Sequence, residues 1–355
     1  MSDEVFMHRA LELARRPPCT SPNPRVGAVV VRDGVVISEA SHLGAGTAHA
    51  EAAALAGVNA RGVTVYVNLE PCNHHGQMPP CAPALADAGV TRVVAALVDP
   101  DDRVRGSGFD YLRRRGVEVT VGVLAEEAAW LNAPFLHHRT TGRAFVSLKL
   151  ALTLDGRMAA ADGSSRWITG EATRQEVHRR RLEADAVLVG SGTVLADDPS
   201  LTVRAIDAPR QPLVLVVDAS GRIPPTARIF QRGGVIVATS LTAPHERQLE
   251  WKEAGAEVVP LPAGADGVDL DGLIVEAGRR GMTEILCEGG AGLATQLLRR
   301  RLVDRLELHH GALMTGAGPT IGDLGVTTIG EAPRFELIET RRSENDVIAV
   351  YRKTP

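Results

Sequence analysis

The stretch VTVYVNLEPCNHHGQMPPCAPALADAGVTRVVAALV, residues 63–98, decides the fold class. It opens on VTVYVNL (63–69), an apolar, β-branched run of strand length. A loop rich in Pro, His and Gly follows (71–80), residues that break both helix and strand. A helical segment covers about 81–88, and VTRVVAALV (90–98) returns to strand. Helix alternating with strand predicts an α/β sheet carrying helices on its faces.

The alternation continues outward from this segment. Upstream, HAEAAALAG (49–57) predicts a helix stopped at Gly57. VGAVVV (26–31) and VVISEA (35–40) flank an Asp-Gly hairpin signal at 33–34, and a helix covers about 3–16. Downstream come a helix near 107–115, the strand VEVTVG (117–122) and a helix over AEEAAWLNAPFLHHR (125–139). The polar stretch RTTGRA (139–144) then marks a boundary, and the pattern restarts. Strands are expected at 145–156, 186–191, 212–218, 234–240 and 284–290, with a helix over 171–184 and a terminal strand pair from DRLELHHGALM and VIAVYRK. Two α/β domains, 1–142 and 143–355, suit a chain of 355 residues at roughly 100–200 residues per domain.

Composition narrows the function class. Hydrophobic residues make up 44% and charged residues 23%, as in ordinary globular proteins. The formal net charge of −4 and the lack of a basic stripe argue against nucleic acid or an anionic membrane as partner. The N-terminus lacks the apolar core of a signal peptide, and no run of about 18 apolar residues predicts a membrane span. Four cysteines are too few for a disulfide framework at this length, so a cytoplasmic location is expected, with cysteines serving metal or catalysis. Lysine occurs only at 149, 252 and 353.

His49, Cys72 and Cys81 form a ligand set for catalytic zinc, which takes three protein ligands and keeps a fourth position open. Glu51 lies two residues from His49 and need not ligate. It can take a proton from water, whose pKa zinc lowers toward ~7, and return it to a leaving amine. His-x-Glu with Pro-Cys is a zinc-deaminase signature, so deamination of a nitrogen heterocycle is indicated. The cysteine spacing departs from that signature: eight residues separate Cys72 from Cys81. A structural zinc site would need a fourth ligand, for which His74 and His75 are candidates. A nucleic-acid-editing deaminase and a non-catalytic zinc protein are the competing classes. Charge speaks against the first and Glu51 against the second. Cys19 and Cys287 read as small, partly buried cysteines.

Several long motifs, in order, carry a family resemblance. TSPNPRVGAVV (20–30), HAE (49–51) and NLEPCNHHGQMPPC (68–81) resemble the deaminase domain of riboflavin biosynthesis. LKLALTLDGRMAAADGSSRWITG (148–170), VGSGTVLADDPSLTVR (189–204) and LCEGGAGL (286–293) resemble the attached reductase domain. The resemblance to these bifunctional deaminase–reductases covers almost the whole chain and accounts for the long cysteine spacing. It implies a cytidine-deaminase-like α/β/α domain followed by a dihydrofolate-reductase-like α/β domain. One Zn2+ would serve the first and NADPH the second. The substrate implied is 2,5-diamino-6-ribosylamino-4(3H)-pyrimidinone 5′-phosphate, deaminated and then reduced from ribosyl to ribityl. A degenerate, inactive reductase half is the alternative, and whether the chain forms a homo-oligomer is open.

The resemblance also implies site residues. Asn23 and His42 would contact the deaminase substrate, although Asn-Pro is equally a turn signal. Ala151, Trp167, Thr193, Asp197 and Ser220 would line NADPH, with Gly290, Ala291, Gly292, Leu293, Ala294, Thr295 and Gln296 along its pyrophosphate. Ser165, Arg181, Leu201, Arg204 and Glu288 would hold the phosphoribosyl substrate, with Lys149 and Asp155 near the ribose C1′. Taken alone, Gly289–Gly292 is as consistent with a strand-to-helix turn as with a phosphate cradle. Of Arg179, Arg180 and Arg181, at least two are expected on a solvated helix end, and Trp167 fits a core position equally well. Gln77-Met78 departs from the more usual Arg-Thr and would remove a charge-assisted phosphate contact; Asn68 is also unusual.

Overall fold

The computed structural model describes residues 2–76, 78–204, 206–264 and 267–354. Two compact units part between Gly142 and Arg143. The first contains α1 (Asp3–Arg15), β1 (Gly27–Arg32), β2 (Val35–Ser41), α2 (Ala50–Leu55), β3 (Thr64–Val67), α3 (Cys81–Asp87), β4 (Arg92–Ala95), α4 (Ser107–Arg114), β5 (Glu118–Val121), α5 (Ala125–Leu131) and α6 (Ala133–Thr141). Its sheet runs β2-β1-β3-β4-β5. β1 is antiparallel to β2 and β3, while β3, β4 and β5 are parallel.

Both faces of this sheet are apolar, which is why its strands read as continuous hydrophobic runs. Ala28, Val30, Val65, Val67 and Val93 pack under α2, α3 and α4 through Ala54, Leu85 and Leu112. Val29, Val31, Tyr66 and Val94 pack against Phe6, Met7 and Leu11 of α1. Asp33 and Gly34 both take positive φ, 49° and 76°, as a two-residue hairpin turn requires. The segment read as one helix over 125–139 is two. The Asn132 side chain accepts from Arg25 N at 2.8 Å and donates to Arg25 O at 3.0 Å, breaking the helix and anchoring the segment before β1.

The second unit contains β6 (Phe145–Leu152), α7 (Glu171–Glu183), β7 (Ala186–Gly190), α8 (Ser191–Asp197), β8 (Leu213–Val217), β9 (Val235–Ser240), α9 (His245–Glu253), β10 (Glu257–Leu261), the short pair β11 (Ala263–Gly264) and β12 (Gly267–Val268), α10 (Leu270–Arg279), β13 (Glu284–Cys287), α11 (Ala291–Arg299), β14 (Arg305–His310), β15 (Phe335–Ser343) and β16 (Asp346–Lys353). Its nine-stranded sheet has the order β10-β9-β8-β7-β13-β6-β14-β16-β15. The strands from β10 to β14 are parallel, and β16 and β15 close that edge antiparallel. Leu148, Leu150 and Ile285 pack under α10 and α11 through Leu273, Ile274 and Leu297. On the opposite face, Val187, Val214 and Val237 pack with Trp251 of α9. β15 escapes the sequence reading because a register shift between Leu337 and Glu339 breaks its alternation. Among the described residues no helix is long and apolar enough to cross a membrane.

Candidate active sites

His49 caps the N-terminus of α2, Cys81 opens α3, and Cys72 lies in the loop after β3. Their ligand atoms converge: His49 Nδ1 lies 3.3 Å from Cys81 Sγ and 3.4 Å from Cys72 Sγ, and all three are within 4.8 Å of one another. Tetrahedral zinc with its usual N and S bond lengths needs ligand separations of about 3.5–3.8 Å, so the two His49–cysteine separations fit with shifts of a few tenths of an ångström. Charge fits as well. Hydrogen bonding from Cys81 and His49 pulls the Cys72 thiol down to about 4 against its burial. The same bond to Cys72, with burial, raises Cys81.

Glu51 stands in the first turn of α2 and is 4% exposed. Burial, seconded by the Cys72 charge, raises its carboxyl to about 7. It faces a cavity of about 160 Å³ that Asn23, His42, His74, Asp99, Arg103 and Arg139 also line. His42 is buried and held neutral by desolvation. Its Nδ1 donates to Ala48 O at 3.0 Å, so Nε2 accepts from Asn23 Nδ2 at 2.9 Å. That pairing uses one of the two Asn23 amide N–H donors and leaves the other and the side-chain oxygen for a ligand. The loop wall rests on Glu70, whose carboxylate accepts from Gly106 N at 2.9 Å and Gly108 N at 3.0 Å. Asn68 clamps the start of β1, accepting from Gly27 N and donating to Arg25 O.

A larger cavity, about 580 Å³, opens at the C-terminal ends of β6, β7 and β13. Strand ends are where open α/β sheets collect ligands. Lys149, Ala151, Ser165, Trp167, Arg181, Thr193, Asp197, Leu201, Arg204, Glu288 and Gly290 all line it. Arg181 grips Glu288 through two bonds of 2.6 and 2.9 Å and donates to Thr202 O at 3.0 Å. Burial opposes the Glu288 charge, but Arg181 holds the carboxyl below its ordinary range. Gly290 N donates to Thr193 Oγ1 at 2.9 Å, and the first bond within α11 starts at Ala294 N. The N–H groups of 291–293 therefore have no partner within the helix. Trp167 is 62% exposed, with the Arg174 guanidinium 4.5 Å from its ring centroid.

The chain matches two family models: the RibD C-terminal domain over residues 144–349, and the cytidine and deoxycytidylate deaminase zinc-binding region over 1–97. It is 40% identical to riboflavin biosynthesis protein RibD of Escherichia coli over 366 residues, covering 98% of each chain. It is 37% identical to that of Aquifex aeolicus over 99% of this chain and 98% of the relative. The chain belongs to the RibD family. The structure of Acinetobacter baumannii RibD superposes with a TM-score of 0.89 at 36% identity, covering 99% of both chains. A Thermotoga maritima diaminohydroxyphosphoribosylaminopyrimidine deaminase/5-amino-6-(5-phosphoribosylamino)uracil reductase does so at 0.85 and 34%, again over 99% of both. This is a bifunctional deaminase–reductase of riboflavin biosynthesis, with a zinc-binding deaminase domain and a RibD reductase domain.

Some RibD-family positions named from the sequence lie away from the large cavity. Ser220 sits in an exposed turn after β8, its N–H on Asp218. Leu293 and Ala294 turn into the core, since helix geometry sends that face of α11 inward. Thr295 donates to Ala291 O and accepts from Gly322 N, and Gln296 is half-buried. Asp155 accepts from Thr153 Oγ1, Thr315 N and Gly316 N, shaping a turn. The expectation for the arginine run needs correction: only Arg179 is a solvated helix-end residue. Arg180 is 9% exposed amid buried carboxylates, and Arg181 holds Glu288. His74 lines the small cavity, His75 is exposed, and neither joins the metal cluster. Cys287 is buried and Cys19 partly so. Gln77 lies outside the described residues; Met78 is half-buried. The sequence reading missed Glu70, Asp99 and His178 as site neighbours. Their signal is the burial of polar side chains in loops and one helix, which no local pattern reveals.

Proposed function

We propose that residues 1–142 deaminate 2,5-diamino-6-ribosylamino-4(3H)-pyrimidinone 5′-phosphate and that residues 143–355 reduce the ribosyl group of the product to ribityl with NADPH. The observation that carries the first step is a buried carboxyl beside three convergent N and S ligand atoms. His49, Cys72 and Cys81 would hold zinc, which supplies the Lewis acidity that makes water nucleophilic near neutral pH. Glu51 takes a proton from the attacking water and returns it to the departing amine, a task suited to a carboxyl raised to about 7. Asn23 and His42 position the pyrimidine through the Asn23 oxygen. Arg103 and Arg139 are the cations lining this cavity and would meet the substrate phosphate.

In the second unit, NADPH supplies the hydride when bound. The N–H groups opening α11, with Thr193 and Asp197, suit its phosphates and ribose. Arg204 and Ser165 would hold the phosphoribosyl group, with Glu288 fixed by Arg181 beneath it. The C1′–ring oxygen bond breaks as hydride enters C1′, and the oxygen takes a proton from Lys149 on the cavity floor. Such an enzyme works on a small metabolite in the cytoplasm, without nucleic acid or membrane. The zinc-loaded chain given the diamino substrate should release ammonia and then oxidise NADPH. Absence of ammonia would overturn the deaminase assignment. Failure to oxidise NADPH with the preformed intermediate would overturn the reductase assignment and leave one active domain.

A further inference from the structure

The large cavity opens where the sheet changes sides. β13 continues into α11, which packs on one face through Leu293, Ala294 and Leu297. The neighbouring strand β7 continues into α8, whose Val194 joins the core on the opposite face. Adjacent strand ends that leave to opposite faces open a crevice between them, the place where open α/β sheets take dinucleotides. Thr193 of α8 spans it to Gly290 N at 2.9 Å. Outward from β7, the next strand end is that of β8.

What β8 offers there is a cation and no acid. Asp218, the residue after β8, is 1% exposed, and the turn itself uses its carboxylate. Oδ1 accepts from Ser220 N at 3.3 Å and Gly221 N at 3.1 Å, and Oδ2 accepts from Ile223 N at 2.8 Å. Gly221 supplies the positive φ, 76°, that the turn needs. Ser220 and Arg222 are left exposed on it. Arg222 Nη2 reaches back to the end of β7, donating to Ser191 Oγ at 2.8 Å, and pairs with no carboxylate among the described residues. The other arginine at this turn, Arg247 of α9, packs beside Gly221 and is paired with Glu250 at 2.9 Å.

We infer that Arg222, held against Ser191, binds the 2′-phosphate of NADPH and gives the reductase its choice of NADPH over NADH. The inference rests on reading this cavity as the reductase site. Acid or cation at the adenosine end is what separates the two dinucleotides: a carboxylate accepts from the free 2′-hydroxyl of NADH, and an arginine takes the 2′-phosphate of NADPH. Asp218 is closed to the first role, and Arg222 is open to the second. Its guanidinium has further N–H donors beyond the one on Ser191, and the Ser191 hydroxyl, while accepting from Arg222, keeps its own proton to donate. Reach agrees. β6, with Lys149 on the cavity floor, lies three strand spacings from β8, about 14 Å at ~4.8 Å each. A dinucleotide with its nicotinamide over β6 and its pyrophosphate at the start of α11 carries its adenosine ribose toward β8.

The test is Arg222→Ala in the full-length protein, a change at an exposed side chain in a turn that Asp218 holds together. With the deaminated intermediate as substrate, the ratio of kcat/KM for NADPH to that for NADH should fall roughly 10-fold or more, through a raised KM for NADPH. Adenosine 2′,5′-bisphosphate and AMP probe the same contact without turnover. By calorimetry the wild type should bind the bisphosphate roughly 10-fold or more tightly than AMP, and Arg222→Ala should bind the two alike. A ratio that does not move, or equal losses with NADPH and NADH, overturns the inference and leaves the reductase reading standing. Wild-type protein that oxidises neither dinucleotide sinks the reductase reading instead. The nucleotide pair still decides Arg222 in that case: preference lost in Arg222→Ala supports the contact, and preference kept, or absent from the wild type, overturns it.

Discussion

Glu51 and Arg204 illustrate what single side chains contribute. Glu51→Gln removes the proposed proton carrier but keeps the shape and leaves the three candidate metal ligands untouched. Zinc content measured by elemental analysis should stay near one per chain, while ammonia release falls roughly 10²–10⁴-fold. Zinc-replete protein with wild-type turnover would refute the proton-shuttle role. Arg204 is exposed at the mouth of the large cavity, its Nη1 on Ser200 Oγ at 3.2 Å. A charge-assisted phosphate contact is worth enough that Arg204→Ala should raise KM for the phosphorylated intermediate roughly 10-fold or more. The dephosphorylated analogue should show little change, and equal losses on both would remove the phosphate role. At this scale the metal set was legible, because His-x-Glu and Pro-Cys are short covalent patterns. Arg180 was not. Its neighbours Arg179 and Arg181 share its chemistry, and only the packing of α7 on the sheet separates the three fates.

Elements hold these groups by close approach. α4 begins against the metal loop: a Cβ on Gly108 would lie 2.0 Å from the Pro71 carbonyl oxygen, next to Cys72. Glu70 pins the same junction through its bonds to Gly106 and Gly108. Gly108→Ala should force the loop away, cost about 1–3 kcal/mol of overpacking, and lower the melting transition of the first unit by roughly 5–10 °C. Zinc affinity should weaken with it, measured by competition with a chelator; unchanged affinity would show that α4 does not set the loop. Most strands were legible from periodicity, since strands buried on both faces are near-continuous Val, Ala and Leu, whereas α8, α9, β10 and α10 were not read from it. The break at Asn132 and the edge strand β15 were not. One depends on a side chain reaching Arg25 across the fold, the other on a bulge that scrambles its alternation.

Over the whole molecule, the two chemistries occupy separate compact units and should respond separately. Because ligand binding stabilises only the unit that holds the ligand, chelation should lower the melting transition of residues 1–142 and abolish ammonia release. NADPH oxidation with the deaminated intermediate should persist in the same sample, and its parallel loss would contradict independent sites. The sequence by itself determined the candidate metal set, the α/β alternation and the family, because each is written in residue identity or in local periodicity. The tertiary structure alone decided which charges are buried and beside what. Arg180 meets Glu307 only through the packing of α7 on the sheet, and Glu70 meets Gly108 only through the packing of α4 on the metal loop. Neither pairing leaves a local trace, since the energy of a buried charge depends on neighbours that the chain brings together only by folding.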